Sequence, residues 1–365
     1  MRSAQRPSRR AEVGMSEPAY TGSRLRAYIE FLAAIVYLFL ARSLAYHAAR
    51  GLDRAGNAWF PLVNQAMLVF LLLLGYAAMG FWFDRQSDPI GAQGLPRRPG
   101  WFREAGLGLA TGWAVALVCV LPMTVIGGIA ISVYTQGSAW GWLVADAAFF
   151  ALAALAEEVA FRGYAYQRFV RTVGPSGATL GFAVIYAIVQ AFTPGASHAS
   201  FAVAMVFTFL LSEAYLRTRA LWVGWGLNFG WKASRALIFG LAVSGVNSHS
   251  PLVQGDPMGP FWLTGGAYGL DGSWLACLVL LAALPVIFRI TRDLDYRYNA
   301  PVIVPGGIPV DLDAAARAQH QAAIGPAAPA APGLVQIAPS STPAPSAPQL
   351  EGREQQAGDQ GPANR

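Results

Sequence analysis

The sequence predicts an all-α, polytopic membrane protein of about eight transmembrane helices. Three observations predict it. Of its 365 residues, 55% are hydrophobic and only 13% are charged, about half the charged share usual in a soluble protein. The apolar residues come in blocks about twenty long, the length a helix needs to cross the hydrocarbon of a bilayer. The 26 basic residues, every one an arginine except Lys232, gather in alternate connections between those blocks.

The formal net charge is +6. Because the arginines are dispersed between apolar blocks, the charge reads as topogenic, and no nucleic-acid partner is expected. Cys119 and Cys277 both lie inside apolar blocks, with neither a disulfide framework nor a metal spacing around them. No metal and no cofactor is expected. The first apolar block is too long for the hydrophobic region of a cleaved signal peptide.

Taken in order, residues 1–26 are polar and arginine-rich and read as a disordered cytoplasmic arm. Apolar blocks follow at 27–47, 59–83, 106–134, 141–161, 178–193, 199–216, 221–243 and 272–290. The first three form an N-terminal group over 27–134; the remainder form a second unit over 140–290. Arginines crowd the connections at 84–104, 162–177 and 217–220 and follow the last block, whereas the other connections carry few basic residues or none. The positive-inside rule then places both termini in the cytoplasm. The 244–272 connection holds Phe261, Trp262 and Tyr268 and is expected to be a structured segment at the outer face. Residues 311–365, rich in alanine and proline, read as a disordered tail.

Polar side chains inside the apolar blocks are costly, face the bundle interior and point to function. The strongest group is Glu157-Glu158-Val159-Ala160-Phe161-Arg162. The turn at Gly174-Pro175-Ser176-Gly177 gives a yardstick. Helical rise puts Glu158 roughly 24 Å before that turn and Gln190 roughly 20 Å after it, so antiparallel helices bring them to similar depth. Asn228 and Lys232, spaced i,i+4, share one face of a later helix. Arg235, Glu30 and Asp146 are candidate partners in the same network, and Tyr186 is a candidate wall of the cavity.

The stretch Glu157–Arg162 resembles the EExxxR signature of the CAAX prenyl endopeptidase and bacteriocin-processing (CPBP, or Abi) family of intramembrane proteases. The resemblance runs from about Trp140 to Phe288. It includes Tyr215-Leu216-Arg217-Thr218-Arg219-Ala220-Leu221-Trp222, Val243-Ser244-Gly245 and Trp262-Leu263-Thr264-Gly265-Gly266-Ala267. It implies a CPBP-type helical core in which a glutamate activates a water toward a peptide bond. A histidine on the next helix assists, and a later histidine and asparagine stabilise the oxyanion. The resemblance also implies membrane lipids and membrane-associated or prenylated peptides as partners, and a bacterial inner or plasma membrane as the setting.

The sequence departs from that pattern at both later motifs. FxxxH corresponds to Tyr186-Ala187-Ile188-Val189-Gln190, and HxxxN to Asn228-Phe229-Gly230-Trp231-Lys232. Gln190 and Asn228 can orient a water or donate hydrogen bonds, but an amide does not shuttle protons near neutral pH. Lys232, paired with either glutamate, would weaken it as a base. His47, His198, His249 and His320 lie at block ends, in connections or in the tail. Two readings therefore stand. In the first, an endopeptidase uses Glu157 or Glu158 as base, with Arg162 in support and Gln190 and Asn228 as substitutes. In the second, a pseudoprotease binds a membrane peptide or partner in the same cavity. A transporter or lipid carrier is disfavoured by the lack of paired repeats.

Overall fold

The computed structural model describes residues 24–52, 58–250 and 252–298. The expected tail at 311–365, with His320, and the expected arm up to residue 23 lie outside the described residues. Helices α1 (Arg24–Leu52) and α2 (Phe60–Asp84) precede a short α3 (Pro89–Ala92) and the long α4 (Trp101–Val125). A strand β1 (Ile129–Val133) follows, then α5 (Gly137–Arg162), α6 (Tyr164–Ala191), α7 (His198–Thr218) and α8 (Trp222–Ala233). The last of these runs into a π-helical turn at Ser234–Ile238. Strand β2 (Val253–Pro257), the short α9 (Phe261–Thr264), two 3₁₀ turns and α10 (Trp274–Tyr298) complete the described chain.

Six helical stretches among the described residues are long and apolar enough to cross a membrane. The eight apolar blocks map onto them with two adjustments. Blocks 141–161 and 178–193 fall in one 55-residue stretch, Gly137–Ala191, and block 221–243 falls on the shorter α8 and its π turn. Within the 55-residue stretch the chain breaks twice. Gly163 leaves helical geometry between α5 and α6, and Gly174 adopts φ 83° and ψ 168°, a left-sided conformation that favours glycine. Pro175 after it suits the start of the second half of α6, where a missing N–H costs nothing. The turn expected at 174–177 is therefore present, and a second bend precedes it at Gly163.

Block 106–134 is a helix and a strand rather than one span. Helix α4 ends before Gly127, which takes a positive φ of 74°, and Ile129, Ile131 and Val133 then pair antiparallel with β2. The β-branched residues alternate with smaller ones, as a strand prefers. This ribbon and the turns around α9 give the 244–272 connection the structured form expected of it.

Two apolar cores result. One is built by α1, α2, α5 and α6, with Leu72, Tyr76, Val159 and Phe182 at its centre. The other is built by α4, α7, α8 and α10, with Met123, Leu211, Leu227 and Trp231. Large apolar side chains such as Leu40, Phe70, Trp82 and Val125 face outward, the surface a lipid-facing bundle presents. Helices α4 and α8 approach backbone to backbone. A Cβ added at Gly108 or Gly112 would overlap the carbonyls of Val223 or Leu227, and one at Gly226 or Gly230 would overlap those of Ala105 or Leu109. Two small-xxx-small pairs facing one another allow this.

The arginine-rich end is fastened separately. Arg168, fully buried, pairs with Glu30 of α1 and Asp84 of α2 and stacks 4.2 Å over the Tyr164 ring. Arg98 bonds Glu104 and the carbonyl of Thr218, and Trp222 donates to the carbonyl of Pro96. The connection 84–104 thereby covers the turn between α7 and α8. Glu30 belongs to this end and not to the network around Glu157, because Arg168 and Arg26 claim both its oxygens.

Candidate functional site

Glu157, Glu158, Arg162 and Lys232 lie in the seam between the two cores, where α5 faces α8 and Arg162 reaches α7. Glu158 has no solvent exposure. Its Oε1 accepts from Arg162 Nη1 at 3.1 Å, one helical turn on, and from Asn228 Nδ2 at 3.4 Å. Its Oε2 is buried without a hydrogen-bond partner and lies against Gly224 of α8, where an added Cβ would come within 2.6 Å of it. Gly224, Asn228 and Lys232 form one stripe at four-residue spacing, so the glycine makes room for the carboxylate that the other two approach.

Glu157, the preceding residue of α5, keeps 28% of its side chain exposed. Its Oε1 is held by Lys232 Nζ, and its Oε2 accepts from Asn228 Nδ2 at 2.9 Å. One amide thus bridges both glutamates. Arg162, besides its bond to Glu158, donates to the carbonyl of Thr208 on α7 at 3.2 Å. The four charges sum to zero: Glu157 and Glu158 against Arg162 and Lys232.

Gln190 does not join this group. Its Nε2 donates to Ser244 Oγ at 3.2 Å. Gln190 and Glu157 both lie beside Lys232, so the similar depth read from the 174–177 turn is kept while the contact is not. Phe161, not Glu158, faces Tyr186, with ring centroids 5.1 Å apart and edge to face. Gln190 lies one helical turn beyond Tyr186, over a small pocket that Tyr186, Lys232, Arg235, Ser244 and Asp271 also line.

Behind that pocket stands a second polar cluster that the sequence did not single out as a group. Asp271, in the 3₁₀ turn Leu270–Gly272, accepts on Oδ2 from the backbone N–H and hydroxyl of Ser244, at 3.0 and 2.8 Å. Its Oδ1 takes Trp231 Nε1 at 3.3 Å and faces Arg235 Nη1 at 2.7 Å. Burial opposes the charge on Asp271, yet the Arg235 guanidinium and the Ser244 hydrogen bonds hold its carboxyl below the ordinary carboxylate value. Arg235 therefore pairs with Asp271 and not with Glu157 or Glu158. The only sequence signal for Asp271 was its being one of two acids, with Asp256, in a connection without basic residues.

Asp146 is also placed apart. Eleven residues before Glu157 on α5, it accepts from the backbone N–H groups of His249 and Ser250 and pairs with His249 Nδ1 at 2.9 Å. His249 is thus committed to Asp146 and to the face of Trp142, away from the glutamates. Among the described residues, no group of three or more histidine, cysteine, aspartate and glutamate side chains is placed to hold a metal ion.

Residues 138–234 match the family model described as type II CAAX prenyl endopeptidase Rce1-like. The matched segment runs from the start of α5 through α8 and so contains Glu157, Glu158, Arg162, Tyr186, Gln190, Asn228 and Lys232. No curated protein and no solved structure matches the chain.

Proposed function

We propose that this integral membrane protein of the Rce1-like family binds a membrane-associated peptide at the seam between its two cores and does not hydrolyse it. The observation that carries this reading is the placement of Lys232. Its ammonium holds one oxygen of Glu157, the more accessible glutamate, while Asn228 holds the other. With both oxygens engaged by donors, Glu157 is poorly placed to meet a water's proton. The family mechanism also asks for two histidines, and the corresponding residues here are Gln190, turned to Ser244, and Asn228, committed to the glutamates. Acid and base groups of that kind supply roughly 10²–10⁴-fold each.

Both termini lie on the cytoplasmic side in this reading, as the alternating arginines favour, and the membrane is a bacterial inner or plasma membrane. The peptide is apolar, prenylated peptides included, and reaches the seam from the lipid.

A second reading keeps peptide-bond hydrolysis with Glu157 or Glu158 as base. It is favoured by the 28% exposure of Glu157 beside a pocket with room for a water. Cleavage of membrane peptides in bilayers separates the two. Binding without hydrolysis predicts no turnover by the wild type above the Glu157→Gln/Glu158→Gln background, and a gain of turnover on Gln190→His with Asn228→His and Lys232→Asn. Wild-type turnover that the double glutamine variant abolishes would overturn it.

A further inference from the structure

The pocket beneath Gln190 has an apolar wall of Val203, Ala204 and Phe207 and a polar wall rich in donors. Lys232, Arg235, Gln190 and Tyr186 line it, and each can give a hydrogen bond. Its one carboxylate, Asp271, is already engaged. Three donors hydrogen-bond its two oxygens, Ser244 N, Ser244 Oγ and Trp231 Nε1, and Arg235 Nη1 lies 2.7 Å from Oδ1 as an ion pair.

Arg235 is the residue left over. It is fully buried, its Nε spends itself on the carbonyl of Trp231 at 2.9 Å, and its plane stacks 4.0 Å from the Trp231 ring. Nη2 is buried and has no hydrogen-bond partner. A guanidinium fixed on three sides with one N–H edge unmet is costly, because a buried donor without an acceptor forfeits its full hydration. The π-helical turn at Ser234–Ile238 is what turns this side chain toward the pocket, three residues after Lys232. Such turns recur at functional sites.

The empty volume is about 310 Å³ with its open mouth included, but a water-sized sphere enters only a small part of it. The space suits a small planar head and not a whole side chain. An acceptor of that size, met by a fork of N–H groups and a neighbouring ammonium, is a carboxylate.

Resting on the peptide-binding reading above, we propose that this pocket captures a carboxylate carried on an apolar chain, the free C-terminus of the membrane peptide being the ligand. Arg235 Nη2 and Lys232 Nζ provide the charge, and Gln190 and Tyr186 provide the remaining donors. The peptide then lies with its terminus under Gln190 and its preceding residues along the seam toward Glu157. A fatty acid presents the same head on the same kind of chain, so the two sources must be told apart by experiment.

The test uses the full chain in lipid nanodiscs and an apolar, fluorophore-labelled peptide made twice, as the free acid and as the C-terminal amide. The readout is the acid-to-amide affinity ratio, which a general loss of structure does not move. The expected ratio in the wild type is about tenfold or more in favour of the acid, the size of one good charge-assisted interaction. It should fall to near one in Arg235→Gln/Asp271→Asn, which removes a charge of each sign and leaves neither orphaned. It should also fall in Gln190→Glu, which sets a competing carboxylate at the pocket wall while keeping the Arg235–Asp271 pair. Palmitate that displaces the labelled acid while hexadecanol does not supports the same carboxylate site. A fatty acid is its natural source if palmitate outcompetes hexadecanol while the peptide ratio is one. A peptide ratio of one together with equal competition by palmitate and hexadecanol overturns the carboxylate site and leaves peptide binding standing. So does a ratio that survives both variants. Failure of acid and amide alike to bind overturns the peptide-binding reading and this site with it.

Discussion

Two buried carboxylates, Glu158 and Asp271, meet α8 and its π turn at different levels and are treated in opposite ways. Asp271 is well met, with three hydrogen bonds spread over its two oxygens and the Arg235 ion pair for charge. Glu158 is under-satisfied, with two donors on Oε1 and none on Oε2, yet it sits in a cluster of four charges. A fully met buried network rigidifies the segment that carries it, whereas a partly met one is where structure has been kept for some other purpose. Asp271 pins the Ser244 turn, where a non-glycine residue holds φ at 50°, to the end of α8. Glu158 fixes nothing that Arg162 and Asn228 do not fix already. The difference assigns the Asp271 carboxylate to architecture, holding Arg235 and the Ser244 turn in place, and the Glu158 carboxylate to function.

The largest expected effect tests the Asp271 half. Asp271→Asn removes the carboxylate paired with Arg235 and leaves a buried cation uncompensated, which costs about 3–5 kcal/mol. Thermal unfolding in detergent should show this as the greatest loss from any single substitution in the two clusters. Adding Arg235→Gln should restore most of the loss, because the pair is then neutral. A double variant as unstable as the single one would mean that the Ser244 and Trp231 hydrogen bonds, and not the charge, hold the turn.

Glu158→Gln should cost less, about 1–3 kcal/mol in the same measurement. The amide keeps an acceptor for Arg162, the carbonyl of Thr208 still accepts from it, and Glu157 still pairs with Lys232. Removing one of two adjacent like charges also relieves their repulsion. A loss equal to that of Asp271→Asn would erase the distinction between the two carboxylates and make Glu158 a structural member of the seam.

The contrast between the two clusters also explains what was legible in the sequence. The membrane class, the helical cores and the identity of Glu157, Glu158, Arg162, Asn228 and Lys232 as one group could be read, because apolar blocks make each polar residue conspicuous and i,i+4 spacing assigns its face. The match to the Rce1-like family over 138–234 bears out the resemblance that EExxxR carried. Gln190 was read to the level of the glutamates but not to its partner, because helical rise sets depth and not rotation, and Ser244 comes from a distant part of the chain. The end of block 106–134 was read as helix because hydropathy does not distinguish a β-branched strand from the end of a span. Asp271 was not grouped with Arg235 because its partners lie 27 to 40 residues earlier in the chain, joined to it only by tertiary packing. The facing glycines of α4 and α8 were readable in principle, since Gly108-xxx-Gly112 and Gly226-xxx-Gly230 are both spelled out in the chain.

The smallest expected effect lies where the two clusters meet. Gln190 makes one side-chain hydrogen bond, to the hydroxyl of Ser244, and its side chain is only partly buried. Gln190→Ala should therefore cost about 0.5–1.5 kcal/mol, the net worth of one such bond. Ser244 keeps its hold on Asp271 through both its N–H and its hydroxyl, so the turn survives the loss. What Gln190→Ala changes is the roof of the pocket, and its effect belongs in ligand affinity and not in unfolding. A thermal shift as large as that of Asp271→Asn would show that Gln190 is part of the Asp271 network, with the boundary between architecture and site running on the Glu157 side of Lys232. A near-silent unfolding trace with altered peptide binding would put that boundary between Gln190 and Ser244.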